Sequence, residues 1–326
     1  MRCEIIQADC EQFLKQASSE SFDLTFLDPP FNQGKEYNIH NDEMSESDYW
    51  NWMKRVCKLI YDCTSDGGAV YFMQREKNAQ YVLESLQSTG WTFQNLIIWK
   101  KKTSAVPCDA RFGKHYQIIA FATKGKIPRI FNKLRIDPPL LVTEKYERPK
   151  GLYVTDVWDD IRELTSGYFA GDEPLRLNNG ERLHKQQSPV QLLTRIILSS
   201  SNVGDMVFDP FAGTGTTLAV AKRLQRDSLG IEIDPVNVSF IKDRLYKERE
   251  SDNILKYRCD YFFTDNLDDI WPLNASDKID KKLEEKYRLK LKKYEIKNAQ
   301  TQLALLEKQK EYLINKTKTK GEAPYS

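Results

Sequence analysis

Histidine and paired cysteine are the scarcest chemistry in this chain. Its 326 residues hold three histidines and six cysteines (Cys3, Cys10, Cys57, Cys63, Cys108 and Cys259), with no Cys-x-x-Cys pair and no cysteine–histidine cluster. That distribution argues against a zinc site or a disulfide frame and reads as buried free thiols, so no metal centre is expected. No apolar run approaches the roughly 18 residues that a membrane-spanning helix needs. The opening MRCEIIQADC has no apolar signal core either, so a cytoplasmic protein without membrane attachment is expected. Neither charge dominates: 49 Lys+Arg against 47 Asp+Glu leave +2, and 40% apolar with 29% charged residues is an ordinary globular composition, neither disordered nor collagenous. The length suits one large α/β domain with an appendage.

The small net charge hides an asymmetry. Lys281–Lys320 contains 13 basic and 5 acidic residues, net +8, whereas residues 1–280 carry −5. Within the basic stretch Leu289, Ile296, Ala299, Leu303, Leu306 and Leu313 recur at three- and four-residue spacing, interrupted in phase by Lys292 and Lys310. This pattern predicts an amphipathic helix. It reads as a solvated helix packed on the body, a self-associating helical pair, or an arm that follows phosphates. Trp271-Pro272-Leu273-Asn274 separates it from the body, giving segments 1–274 and 275–326.

The body alternates strand and helix. Apolar runs predict strands at Cys3–Ala8, Phe22–Leu27, Gly68–Met73, Phe93–Trp99, Tyr116–Thr123 and Ser228–Ile233. Helical periodicity falls at Glu11–Gln16, Asp48–Cys63, Lys77–Ser88, Val190–Ser199 and Leu218–Leu224. Such alternation predicts a mostly parallel sheet wrapped by helices on both faces, with ligands at the carboxyl ends of strands.

Two motifs occupy such ends. In Asp28-Pro29-Pro30-Phe31 the prolines fix the backbone after a buried strand and aim its carbonyls. A carboxylate beside a fixed carbonyl and an aromatic ring suits a flat, NH2-bearing group. Asp137-Pro138-Pro139-Leu140 repeats the first three letters without the aromatic and reads as a loop. The second motif is Asp209-Pro210-Phe211-Ala212-Gly213-Thr214-Gly215-Thr216-Thr217, a glycine-bearing turn from strand into helix that brings backbone N–H groups to a polar ligand. Glu232 ends the next strand, where an acidic side chain accepts from ribose hydroxyls. The third glycine of a nicotinamide fold and the Gly-Lys-Ser/Thr of a P-loop are both missing.

Together these motifs resemble those of the S-adenosylmethionine-dependent DNA amino-methyltransferases, in the permuted β order and of restriction-modification type. The resemblance covers roughly residues 3–249, with the catalytic tetrad about 180 residues before the cofactor loop. It implies a Rossmann-like class I methyltransferase fold, permuted, over residues 1–274, a target-recognition insert at 126–182, and a C-terminal helical extension. It implies Asp28, Pro29, Pro30 and Phe31 as the catalytic tetrad. S-adenosyl-L-methionine would be held by residues 209–217, by Glu232 and by Asp9 at the end of the first strand. The segment Leu183-His184-Lys185-Gln186-Gln187-Ser188-Pro189 resembles the His-x-x-Gln-Lys-Pro element beside the cofactor, which adds His184 and Gln187; Ser188 stands where the family has lysine. Contacts to double-stranded DNA are expected from Lys100, Lys101, Lys102, Arg129, Lys133, Arg135, Lys145, Arg148 and Lys150. A homodimer and a cognate restriction endonuclease are the implied partners.

The implied reaction is methyl transfer to the exocyclic amine of a flipped base, N6 of adenine first and N4 of cytosine as the alternative. Methylation of RNA or a protein amide fits less well, because that related tetrad follows the cofactor loop. Pro107-Cys108 has the letters of a C5-cytosine nucleophile but lies outside any matching motif.

Overall fold

The computed structural model describes residues 1–32, 44–103, 109–138, 148–164, 172–176, 179–183, 187–247, 249–275 and 277–320, with side chains to residue 311. The first half runs β1 (Cys3–Gln7), α1 (Cys10–Leu14), β2 (Phe22–Leu27), α2 (Glu46–Cys63), β3 (Thr64–Arg75), α3 (Ala79–Ser88), β4 (Thr92–Lys100) and β5 (Tyr116–Thr123). Three two-residue strands follow: β6 (Arg135–Ile136), β7 (Leu152–Tyr153) and β8 (Val157–Trp158). The second half comprises α4 (Val190–Ser200), β9 (Met206–Asp209), α5 (Thr216–Arg223), β10 (Asp227–Glu232), α6 (Pro235–Tyr246), α7 (Leu267–Ile270) and α8 (Lys281–Lys320).

The main sheet has strand order β1-β10-β9-β2-β3-β5-β4-β8. Its ladders are parallel except where β5 runs against β3 and β4. This is the expected mostly parallel sheet, with β5 as its one reversed member. Alternation along β2, reset by a register shift between Phe22 and Leu24, divides the core. Leu24 and Phe26 face α4 and α5, in a cluster with Leu193, Ile197 and Val220. Phe22 and Leu27 face α1, α2 and α3, in a cluster with Leu14, Met53, Val56 and Leu86.

Local chemistry explains the boundaries. α2 begins two residues before the predicted Asp48 because the Ser45 hydroxyl accepts from the Asp48 N–H as its cap. β3 extends the predicted Gly68–Met73 at both ends, since Thr64 leaves the helix directly into extended conformation. Gly67 at φ 72° is required there, because a Cβ would lie 2.7 Å from the Arg129 backbone nitrogen. The predicted Lys77–Ser88 helix splits into a 3-10 turn at Glu76–Asn78 and α3. Val157–Trp158, within the segment expected as an insert, joins the main sheet as a parallel edge strand on β4 and buries Trp158.

One topological fact positions the site. β2 and β9 are neighbours, with Leu24 opposite Val207 and Thr25 opposite Phe208. From here the chain order departs in both directions, so the carboxyl ends of β2 and β9 form the crevice where open α/β sheets bind ligands.

Candidate active site

Asp28 leaves β2 and Asp209 ends β9, so the crevice between these strands is flanked by two carboxyl groups. Burial raises the pKa of Asp28 well above the usual carboxylate range; a hydrogen bond from Ser188 opposes that shift and the charge of Asp209 adds to it. Asp209 is pushed up to about 7, chiefly by burial, against hydrogen bonds from the Thr217 side chain and the Phe211 N–H. Glu232, at the end of β10, is also raised by burial. Among the described residues no Lys or Arg forms an ion pair with any of the three. Three desolvated carboxyls without a protein counter-ion make a crevice that favours a cation.

The cofactor-type loop is shaped by its own backbone. The Phe211 N–H donates to Asp209 Oδ1 at 3.1 Å, turning the chain out of β9. The Glu232 carboxylate accepts from the Gly213 N–H at 2.8 Å and the Asp234 N–H at 2.9 Å, tying loop and strand end together. Gly215, at φ 71°, opens α5, and a Cβ there would meet Ile241 Cγ2 at 2.8 Å. Asp9 sits beside this edge: the Ala8 N–H donates to the Glu232 carbonyl at 3.1 Å, and the Asp9 side chain caps α1 through the Gln12 N–H at 2.9 Å.

Beneath the loop lies a clamp that the sequence did not reveal. Buried Arg244 donates to the Thr214 carbonyl at 2.6 Å and Thr216 Oγ1 at 3.1 Å. Its remaining nitrogens form a two-pronged pair with buried Asp252, at 2.9 and 2.7 Å. An arginine on a helix of ordinary composition carries no signal of such a role.

The tetrad turn is equally braced. Tyr49 Oη donates to the Pro30 carbonyl at 2.7 Å, and Gln74 Nε2 donates to Tyr49 Oη at 3.0 Å. Both side chains are buried. The Pro29 carbonyl accepts no hydrogen bond among the described residues, which leaves it available beside Asp28. Asn32, in the left-handed region at φ 50°, pairs with the Met44 N–H at 2.9 Å and carbonyl at 2.8 Å, tying the tetrad turn to the residues before α2. Phe31 is 4% exposed and packs into the α4-side core, so its ring face is covered in this conformation.

Ser188, the departure from the family lysine, donates to Asp28 Oδ2 at 3.0 Å across 160 positions of sequence. Gln187 is spent on the chain: its Oε1 accepts from the Leu175 N–H at 3.0 Å and its Nε2 donates to the Glu173 carbonyl at 3.1 Å. Glu173 in turn accepts from the Val190 N–H at 2.6 Å at the start of α4. No periodicity marks Glu173. His184, Lys145 and Cys108 lie outside the described residues.

The expected DNA-contacting bases are not brought together. Lys100 ends β4, opposite Tyr116 in register and at the same rim of the sheet as Arg75. Lys101 and Lys102 follow it; burial lowers the pKa of Lys101, and the Lys102 N–H donates to Glu163 at 2.7 Å. Arg129 lies at the opposite rim, paired with Asp205 at 2.6 Å and Asp23 at 3.3 Å where β9 and β2 begin. Arg135 stacks on Tyr153 with its guanidinium 3.9 Å from the ring centre, Arg148 donates to the Pro138 carbonyl at 2.6 Å, and Lys150 lies over Tyr294 at 5.5 Å. Lys133 lines a cavity of about 540 Å³ between β4, β5 and the residues around β7.

A family model described as DNA methylase matches residues 22–243 of this chain. The Type II methyltransferase M.BamHI of Bacillus amyloliquefaciens is 31% identical over 266 residues, 77% of this chain, and the match spans 59% of that protein's length. The DNA adenine methyltransferase YhdJ of Escherichia coli (strain K12) is 31% identical over 258 residues, covering 73% of this chain and 80% of that protein. Among solved structures, that of an M1.HpyAVI–SAM complex is similar in fold, with a TM-score of 0.52 at 23% identity over 75% of this chain and 99% of the other.

Proposed function

The chain belongs to the DNA methylase family, and from that membership we propose that it transfers a methyl group from S-adenosyl-L-methionine to an exocyclic amine of double-stranded DNA, N6 of adenine in first place. The observation that carries this reading is the pairing of Asp28 and the Pro29 carbonyl, which no described residue engages, with the neighbouring carboxyls of Asp209 and Glu232. An NH2 group needs two acceptors, and a sulfonium needs anions.

The crevice suits the cofactor on its own terms. Asp209, Glu232 and the backbone of 211–215 would hold it, with Asp9 at the adjoining edge and Thr216 and Thr217 at the opening of α5. When bound, S-adenosylmethionine supplies an electrophilic methyl group on a positively charged sulfur. Asp28 and the Pro29 carbonyl accept the two amino hydrogens of the flipped base, favouring a pyramidal nitrogen whose lone pair is no longer spread into the ring. The raised proton affinity of Asp28 suits it to receive the proton that the amine gives up. Tyr49 and Gln74 hold the turn rigid from behind, so the acceptors do not reorganise during reaction. Flipping costs a few kcal/mol. Use of Phe31 as a stacking surface requires the turn to uncover its ring.

Likeness to a type II enzyme and to an adenine methyltransferase supports the modification half of a restriction pair and adenine as the target. N4 of cytosine presents the same two hydrogens to Asp28 and stands second. A DNA substrate supports a cytoplasmic location; no described helix is long and apolar enough to cross a membrane. The test is incubation with unmethylated genomic DNA and methyl-labelled S-adenosylmethionine, nucleoside digestion and mass spectrometry. Label in N6-methyladenine or N4-methylcytosine, absent with Asp28→Ala, is the expected result. Label in 5-methylcytosine, or none despite cofactor binding, overturns the role of the tetrad.

A further inference from the structure

Residues 156–163 are stitched to their neighbours step by step as they follow β4. The Ile98 N–H donates to the Asp156 carbonyl at 2.7 Å, Trp99 Nε1 donates to the Ile161 carbonyl at 3.0 Å, and buried Arg195 of α4 pairs with Asp160 at 2.5 Å. The series ends on the buried side chain of Glu163. Its Oε2 accepts from the Lys102 N–H at 2.7 Å, and its Oε1 accepts from the Thr103 N–H at 2.9 Å and from the Thr103 hydroxyl. Burial pushes this carboxyl up, but the hydrogen bonds outweigh it and hold the group down at about 2, so it is an anion at neutral pH.

Glu163 therefore spends its charge on the chain and not on lysine. Among the described residues Lys100, Lys101 and Lys102 form no ion pair, although the charge of Glu163 is felt at Lys101. On its other flank the turn is tied to His115: the Lys101 N–H donates to the His115 carbonyl at 2.8 Å, and the Lys101 carbonyl accepts from His115 Nε2 at 2.7 Å. Lys101 is half-buried with its ammonium 5.9 Å from the Trp99 ring centre, whereas Lys100 and Lys102 are exposed. The backbone is thus fixed from both sides while two ammonium groups stay free.

Position gives this arrangement its meaning. β2 is parallel to β3, and β5 runs against both β3 and β4, so Lys100 ends β4 at the rim from which Asp28 emerges. With β3 and β5 between them, β2 and β4 are three strand spacings apart, roughly 14 Å. That is about four base-pair rises, within the span of a duplex seated over Asp28. A lysine on a loose turn must lose chain freedom before it meets a phosphate; on a turn fixed beforehand that loss belongs to folding. We propose that Glu163 is a positioning residue for DNA, holding the backbone of 101–103 so that Lys100 and Lys102 meet duplex phosphates beside the crevice. This rests on the DNA reading of the crevice, and it gives an acidic residue a part in binding a polyanion.

The sign of one substitution tests it. Glu163→Gln keeps the volume, removes the charge, and offers one acceptor oxygen and an NH2 group to a set of N–H donors. Coulomb attraction alone predicts that removing an anion near DNA tightens binding. Positioning predicts the reverse. Equilibrium binding of the full chain to a labelled fragment of unmethylated genomic DNA, across a series of salt concentrations, should be about tenfold weaker for Glu163→Gln, with the log–log slope reduced by about two. Lys100→Ala and Lys102→Ala should then add little in the Glu163→Gln background, although each weakens the native chain. Thr103→Val, which deletes only the hydroxyl donor, should weaken binding by a smaller factor. Affinity for S-adenosylmethionine should stay at the native value, because β9 and β10 lie on the other side of β2. Unchanged or tighter DNA binding by Glu163→Gln overturns the proposal, as do lysine substitutions that remain fully additive. A parallel loss of cofactor affinity also overturns it, since Glu163 would then support the fold at large. A native chain that retains no DNA sinks the DNA reading together with this inference, whereas native retention matched by Glu163→Gln sinks this inference alone.

Discussion

At the scale of single residues, Ser188 decides how Asp28 behaves. Its hydroxyl counters the burial that raises the Asp28 carboxyl, so removing it moves the carboxyl further up. Ser188→Ala therefore shifts the rising limb of the kcat–pH profile to higher pH and lowers kcat at neutral pH by about tenfold, within the range of proton-transfer effects. Ser188→Thr restores both. Asp209 gives a second pH dependence. Its folded-state pKa of about 7 lies above the unfolded value, so the folded protein binds the extra proton and this group's contribution to stability declines as pH rises toward 7. Cation binding runs the other way, since only the ionised carboxylate attracts charge. Cofactor affinity measured calorimetrically should increase between about pH 6 and about pH 8, and Asp209→Asn should flatten that increase. A flat profile in the native protein would remove Asp209 from cation recognition.

Among the elements, two clamps hold loops that strands and helices alone leave free. Arg244 fixes the cofactor-type loop from below while paired with Asp252, both buried. Arg244→Met leaves the buried Asp252 carboxylate only its longer pair with Arg249 at 3.6 Å, and denaturant unfolding should show a loss of about 3 kcal/mol. Restoration by Asp252→Asn in the same chain identifies the stranded charge as the cause. Tyr49→Phe removes the hydrogen bond to the Pro30 carbonyl and the acceptor of the buried Gln74 amide, about 2–3 kcal/mol of stability, and should lower kcat with little change in KM for DNA, because it loosens the acceptors proposed for the reacting amine. The strands and the two motifs were legible because apolar runs and glycine or proline turns are local signals. The clamps were not, since Arg244 joins Thr214 and Asp252 through tertiary geometry, and Tyr49 reads from sequence as one more apolar residue of α2. Gln187 shows what a motif cannot tell: the resemblance sets it beside the cofactor, and its amide binds residues 173–175 of the chain itself.

For the whole molecule, charge placement matters more than charge total. From sequence, DNA contacts are expected of both Lys100–Lys102 and the bases of 126–150; the fold sends Lys100 to the rim of the crevice and Arg129 to the opposite rim, in pairs with Asp23 and Asp205. Sequence order cannot tell the two ends of a sheet apart until the strand directions are fixed. DNA affinity should fall steeply with salt, and Lys100→Ala should reduce the log–log slope by about one while Arg129→Ala leaves it unchanged. Equal effects of the two substitutions would return Arg129 to the DNA surface. The strand order has a further consequence, for synthesis. The tetrad is translated within the first tenth of the chain, whereas β1 pairs among the described residues with β10 alone, which ends at Glu232. Until that point is translated, β1 is an edge without a neighbour and Asp28 has no Asp209 beside it. A nascent chain arrested before β9 thus carries the turn proposed to bind the amine and no cofactor crevice, so on the proposed reading methyl transfer waits until the last strand of the sheet is made.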